Sequence, residues 1–255
     1  MLSPYRPWHL RLAGDLELLA PKSGPGALIY YQGHSEPATA RFLASFLRPG
    51  MKFWDVGAHF GEFSLVASKR VGETGQVVVF EPQPRMFGYL ARNVQSNRAR
   101  NVALYQTAVC DTVGRADLFL PQDPSLAFLN PIPDDEAPMT SVETTTLDQV
   151  CHSTGCVPDL VKVDVEGAEL AVLQGSECLA ARGDDAPTWI VEYEPENCVR
   201  FKYQASDLTR HFRSRGYSVY WLSEKNYLRS IESALLTESA GNFVATKRSV
   251  SEFPR

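Results

Sequence analysis

Phe53-Trp54-Asp55-Val56-Gly57-Ala58-His59-Phe60-Gly61 joins an apolar run to two glycines and carries the plan of the whole chain. Its apolar start reads as a short strand, its glycines as a tight turn, and Glu62–Arg70 after it as a helix with apolar residues near helical spacing. A strand that runs into a glycine turn and then a helix opens a parallel α/β sheet, and ligands bind at the crevice beyond the carboxyl ends of such strands. The glycines serve either a bare strand-to-helix turn or a backbone that must approach a ligand closely. Their spacing is D-x-G-x-x-x-G, with Gly57 and Gly61, and lacks the G-x-G-x-x-G of a dinucleotide site.

Outward from this turn, seven strands are expected: Lys52–Val56, Gln76–Phe80, Val102–Tyr105, Leu160–Asp164, Trp189–Tyr193, Ser218–Leu222 and Asn242–Thr246. Helices are expected between them at Glu62–Arg70, Arg85–Ser96, Ala168–Leu173 and Ala205–Arg215. Residues 1–50, with an amphipathic Pro37–Leu47 stopping at Pro49-Gly50, read as an N-terminal cap, and 51–255 as one domain. Two further strand ends carry acids. Glu81 closes Val77-Val78-Val79-Phe80 twenty positions beyond Gly61, and an acceptor-only carboxylate there suits ribose hydroxyls. Leu160 to Leu170 brings Asp164 to the same edge with Glu166 on the turn, and Trp189–Glu194 adds Glu192 and Glu194. Pairing with helix N-terminal dipoles would also explain these acids. An acid on the first strand, exposed turn backbone and a second-strand acid suit a ligand with an amino group and a nucleoside. S-adenosylmethionine has both; a nicotinamide-dependent oxidoreductase is the rival on the same architecture.

Composition removes other classes. Lys and Arg number 25 against 30 Asp and Glu, a net charge of -5, and the close basic pairs, Arg98/Arg100 and Lys247/Arg248 among them, are scattered along the chain. No basic stripe can follow a phosphate backbone, so no nucleic-acid partner is expected. The most apolar early run, Leu10 to Ala20, is broken by Arg11, Asp15 and Glu17, short of the ~18 apolar residues a membrane helix needs. No membrane partner and no signal peptide are expected. Five cysteines (Cys110, Cys151, Cys156, Cys178, Cys198) form no C-x-x-C pair and read as reduced thiols of a cytoplasmic protein. Prolines 121, 124, 131, 133 and 138, with Leu126, Phe128, Leu129 and Ile132 among them, mark an irregular loop, either an acceptor lid or a surface loop held by those side chains.

Five segments together carry a family likeness: FWDVGAHFGEFS (53–64), VVVFEPQPRMFGYLARNVQSN (77–97), TAVCDTVGRADLFL (107–120), TTTLDQV (144–150) and DLVKVDVEGAELAVLQG (159–175). Over about residues 36 to 195 the chain resembles the FkbM-type S-adenosylmethionine-dependent methyltransferases, with a weaker echo in Glu36-Pro37 and in Asn242–Thr246. The resemblance implies an α/β, Rossmann-like class I methyltransferase: a seven-stranded, mostly parallel sheet with an antiparallel last strand. It implies Asp55, Gly57 and Gly61 around the methionine and ribose, Glu81 at the ribose hydroxyls, Thr107, Ala108 and Val109 beside the adenine, and Asp164 near the methionine end, with Ala58, His59, Ser64 and Pro82 also among the cofactor contacts. The family usually has Asn where this chain has His59. The implied reaction is O-methylation of a hydroxyl on a sugar, polyketide or other secondary metabolite.

A hydroxyl needs a base, for which Asp164 and Glu166 are the first choices and His59 the outside one. The same carboxylates could instead hold Mg²⁺. Tyr31, Phe128 and Glu192 are candidates for contact with a small-molecule acceptor, Tyr30 and Tyr31 being equally readable as packing. A homo-oligomer is left open, as is a scaffold that binds the cofactor without turnover. Gly33-His34-Ser35-Glu36-Pro37 partly matches a hydrolase elbow, but Pro37 replaces its closing glycine. No N/D-P-P-Y/F segment of a nucleobase amino methyltransferase stands at Asp164 to Gly167.

Overall fold

The computed structural model describes residues 7–121, 127–129, 138–223, 228–231, 240–249 and 253. The chain opens with a hairpin, β1 (Trp8–Leu12) and β2 (Leu16–Ala20), turned at Gly14 and Asp15. Two helices follow, α1 (Gly24–Gln32) and α2 (Pro37–Phe46), each with proline in its first turn, where a missing N–H costs nothing. The β/α alternation then begins: β3 (Lys52–Val56), α3 (Glu62–Val71), β4 (Gln76–Phe80), α4 (Pro84–Ser96) and β5 (Val102–Tyr105). Next come β6 (Ala108–Val109), β7 (Gly114–Phe119), β8 (Phe128–Leu129), β9 (Met139–Thr145) and α5 (Leu147–Thr154). The chain returns through β10 (Leu160–Val163), α6 (Glu169–Gln174), α7 (Glu177–Ala180), β11 (Thr188–Tyr193), α8 (Pro195–Arg200) and α9 (Ala205–Arg213). It closes with β12 (Ser218–Leu222), β13 (Leu228–Ser230) and β14 (Gly241–Thr246).

The main sheet has the order β13-β12-β14-β11-β10-β3-β4-β5, and all seven expected strands lie in it. β3, β4, β5, β10 and β11 run parallel, and β14 inserts antiparallel between β11 and β12, as the family likeness implied. The expected count of seven is corrected to eight among the described residues by β13, whose three residues include exposed Arg229 and Ser230 and so form no apolar run. A second sheet, β6-β9-β7-β8, was also not foreseen. Its β9, Met-Thr-Ser-Val-Glu-Thr-Thr, is polar and β-branched, a strand recognisable by shape preference rather than by hydrophobicity. The described part of the proline-rich segment completes this sheet, Phe128 and Leu129 pairing with Phe119 and Leu118. Pro124, Leu126, Pro131, Ile132 and Pro133 fall outside the described residues.

Alternation along the strands sorts the core into two layers. Trp54, Val56, Val161, Val163, Trp189 and Val191 pack on one face; Phe53, Leu160, Ile190 and Val244 pack on the other, with side chains from α2 and α3. Along that second face the period-two positions continue into Asp55, Lys162, Asp164, Glu192 and Asn242 at the carboxyl end of the parallel strands. The apolar layer stops there, and the polar row it becomes is one wall of the functional site.

The N-terminal hairpin is knit to the main sheet's helical layer by α4. Asn93 donates to the carbonyls of Leu19 (2.9 Å) and Phe60 (2.8 Å) and accepts from Leu19 N–H (2.7 Å), while Asn97 exchanges two bonds with the Glu17 backbone. These amides, one helical turn apart, serve β2 as a strand neighbour would. Leu10, Leu12, Leu16, Leu18 and Ile29 pack with Phe60, Leu65 and Met86 beneath them. All five cysteines are free, and among the described residues no helix is long and apolar enough to cross a membrane.

Candidate active site

A cleft opens at the carboxyl ends of β3, β4, β10 and β11, at the point where the chain order reverses direction across the sheet. Its empty volume, with the open mouth included, is about 1180 Å³. Gly57, Ala58, His59, Glu81, Pro82, Thr107, Ala108, Val109, Asp164, Glu166 and Glu192 line it together.

The turn after β3 is shaped by backbone. Gly57 has φ 81°, and a Cβ there would stand 1.7 Å from the Asp164 carbonyl oxygen, so the ends of β3 and β10 approach too closely for any side chain. Gly57 and Ala58 N–H both donate to the Phe80 carbonyl, at 3.0 and 3.1 Å. His59 has φ 55°, in the left-handed region where Asn, Asp and His are enriched. Gly61, φ 89°, starts α3 below the cleft wall.

Glu81 is buried at the tip of β4, one oxygen accepting from His59 N–H and the other from Gln83 N–H, each at 2.8 Å. Burial pushes its pKa up to about 8 in spite of those bonds, which lower it. Asp55, 1% exposed, lies under the wall and not in it, taking a 2.5 Å bond from Ser64 Oγ; burial raises its pKa. Its Oδ1 has no hydrogen-bond partner among the described residues.

Beyond β3 the carboxylates gather around one ammonium. Lys162, fully buried, donates to Asp164 at 2.6 Å and lies over the Phe63 ring at 5.0 Å from its centroid. Burial opposes its charge, but Asp164, Glu36 and Asp55 outweigh it and hold the lysine pKa above its ordinary value. Burial raises the Asp164 pKa in turn, and Lys162 more than reverses this, so Asp164 is the ionised member. Glu192 is driven well above a normal carboxyl by burial and then by Asp164, which makes it the proton donor in its hydrogen bond to Asp164. Glu166 has φ 54°, strained for a glutamate, and burial followed by the charges of Asp164 and Glu169 lifts its pKa to about 7. Glu169 anchors that turn by accepting from Val165 N–H, Gly167 N–H and Tyr203 Oη.

Two of the expected acceptor contacts stand elsewhere. Tyr31 is 83% exposed and outside the cleft wall, to which α1 presents Pro25 and Leu28 instead. Phe128 is buried against Phe119 with the Arg200 guanidinium over its ring, and neighbouring Ala127 and Leu129 take the wall position. Lys162, Glu36, Gln83 and Glu62 reach the cleft without having been singled out. For Lys162 the signal was available, since it stands two residues before Asp164 and shares its face. Glu36 comes from the loop before α2, where Oε2 accepts from Asn242 Nδ2 (2.5 Å) and Thr39 Oγ1 (2.9 Å). The elbow-like Gly33–Pro37 segment is no nucleophile site: Glu62 stands between His34 Nδ1 (2.8 Å) and Ser35 Oγ (2.5 Å), leaving the serine on a carboxylate.

With this geometry in place, the model of the methyltransferase FkbM domain matches residues 55–219. The chain belongs to the FkbM methyltransferase domain family. Hexuronic acid methyltransferase AglP of Haloferax volcanii is 34% identical over 125 residues, 48% of each chain, so this FkbM chain spans about half the length of the curated relative it matches. The crystal structure of methyltransferase FkbM from Methylobacillus flagellatus superposes with a TM-score of 0.53 at 16% identity, covering 82% of this chain and 48% of that one. A putative rRNA-methylase from Clostridium thermocellum gives 0.50 at 9% identity over 81% and 90%. At these identities the structural likenesses establish the fold of this FkbM domain, a class I methyltransferase sheet, and nothing finer.

Proposed function

We propose that the protein transfers a methyl group from S-adenosylmethionine to a hydroxyl oxygen of a small-molecule acceptor, a sugar or secondary metabolite. The observation that carries this reading is the convergence of Glu81, the Gly57–His59 turn and Asp164 on one cleft at the switch point of the sheet. The residues fit the cofactor: Glu81 retains lone pairs for ribose hydroxyls, Phe80, Ala108, Val109 and Leu118 supply an apolar wall for a base, and Asp164 supplies an anion for an amino group. The printed name of the hexuronic acid methyltransferase supports a sugar as the acceptor class. Family membership disfavours the oxidoreductase reading.

When bound, the cofactor supplies an electrophilic methyl on sulfur. The chain's own work is to hold an acceptor oxygen in line with that methyl and to exclude water, and such positioning dominates in a one-step displacement. Glu166 is the base best tuned to accept the hydroxyl proton, because its pKa of about 7 leaves it half ionised near neutrality, whereas Asp164 is engaged by Lys162. Mg²⁺ does not fit the donor set: among the described residues no three His, Cys, Asp or Glu side chains are arranged to hold a metal ion.

The test is a thermal-shift titration with S-adenosylmethionine, S-adenosylhomocysteine and NADH in parallel. A ligand at ~100 times its dissociation constant stabilises by about 2.7 kcal/mol, so a shift with the sulfur nucleosides alone is expected. A shift with NADH alone overturns the reading.

A further inference from the structure

The charges around the cleft are unequal. Among its described lining residues are six carboxyl groups (Glu36, Glu62, Glu81, Asp164, Glu166, Glu192) and one basic side chain of the Lys or Arg type, Lys162. Glu62 is satisfied by His34 and Ser35, and Glu81 by two backbone N–H groups. Glu166 faces Asn197 and Arg200 on α8. Asp164, Glu192 and Glu36 remain around Lys162, with Asp55 directly beneath.

This group can take up more positive charge than the protein supplies: burial holds Glu36, Asp55 and Glu192 toward their protonated forms while Lys162 keeps Asp164 ionised, so a second cation at the row is met by loss of a proton from one of these acids, which a glutamine cannot lose. Asp164 and Glu192 share one proton, and Lys162 is the single cation among Asp164, Glu36 and Asp55. Three oxygens of the group are sealed from solvent with no hydrogen-bond partner among the described residues: Asp55 Oδ1, Glu192 Oε2 and Asn242 Oδ1. A buried polar atom left in that state is destabilising, and of the three it is Glu192 whose side chain lines the cleft, where a bound group can relieve the deficit. Asn242 also ties Glu36, in the loop before α2, to the β11–β14 edge of the cleft, so the row reaches across strands and loop together.

We propose that Glu36, Asp164 and Glu192 form a charge-reading subsite that favours the cationic methyl donor over its neutral demethylated product. The inference rests on the methyltransferase reading, since S-adenosylmethionine and S-adenosylhomocysteine differ by one methyl and one positive charge on sulfur. The S-methyl bond that breaks in the reaction takes that charge with it: the sulfur keeps the bonding electron pair, the acceptor oxygen gains the methyl, and the acceptor's proton passes to a cleft carboxylate. A row of carboxylates with a single ammonium then loses the cation it was holding, which favours departure of the product. Low water access strengthens the discrimination, because Coulomb interactions grow as the surroundings lose polarity.

Isothermal titration of the full chain with S-adenosylmethionine, S-adenosylhomocysteine and sinefungin, which carries an ammonium in place of the sulfonium methyl, tests this without any acceptor. The expected result is that the two cationic ligands bind at least tenfold tighter than S-adenosylhomocysteine at pH 7, with Glu36→Gln and Glu192→Gln each narrowing the ratio severalfold while leaving the neutral ligand's affinity within threefold. Equal or tighter binding of S-adenosylhomocysteine by the unmodified protein overturns the proposal, and this arm needs no variant to fold. So does a ratio that folded Gln variants leave unchanged. Failure of all three ligands to bind would be a different result, removing the methyltransferase reading on which the subsite depends.

Discussion

Glu166 and Glu81 show how position sets chemistry at the level of single side chains. Both are glutamates at strand ends in the same cleft, yet Glu81 spends its oxygens on two backbone N–H groups while Glu166, on a left-handed turn, faces other carboxylates. Glu166→Gln should therefore lower turnover by roughly 10²–10⁴ and abolish the rise in rate through pH 7, while S-adenosylmethionine affinity holds. Single-turnover rates from pH 5.5 to 8.5 check this; an unchanged pH profile would remove Glu166 as base. Glu81 gives a stability prediction. Its folded-state pKa of about 8 lies above the ordinary 4.5, so between those values the native state holds a proton that the unfolded chain has lost. Stability of the ligand-free protein should then fall as pH rises from 5 to 8, and Glu81→Gln should flatten that slope. Urea midpoints across the range provide the measurement.

Between elements, the decisive contacts are made by side chains that imitate backbone. Asn93 on α4 and Asn97 at its C-terminal cap give the hairpin strand β2 the bonds a neighbouring strand would give, and Asn93 also secures the Phe60 carbonyl just before α3. Asn93→Ala strands the Leu19 N–H and two carbonyls, and is expected to cost roughly 1–3 kcal/mol, seen as a drop of several degrees in Tm. Hydrogen exchange at Leu19 should accelerate in the variant; if it does not, the hairpin is held by its apolar face alone. The asparagines that closed VVVFEPQPRMFGYLARNVQSN were legible only as part of a family likeness. Their partners on β2 lie more than seventy residues away, and local pattern carries no trace of that pairing.

For the molecule as a whole, what could be read from the chain alone was whatever local periodicity encodes. Seven apolar runs and the glycine turn at 57–61 sufficed for a doubly layered sheet, because period-two burial and the steric freedom of glycine are properties of a few consecutive residues. The acids at strand tips were legible for the same reason, since a residue that ends a parallel strand stands at the crevice whatever its neighbours. Tertiary structure decided the rest. The polar strands of the second sheet are stabilised by pairing rather than by an apolar run, and Tyr31 and Phe128 are placed by packing that no local pattern reveals. Above all, the charge state of the cleft is a sum over distant residues. Glu36, Asp55, Lys162, Asp164, Glu192 and Asn242 come from the loop before α2 and the ends of four strands, and only their meeting at one buried edge makes a single ammonium answer for so many carboxyls.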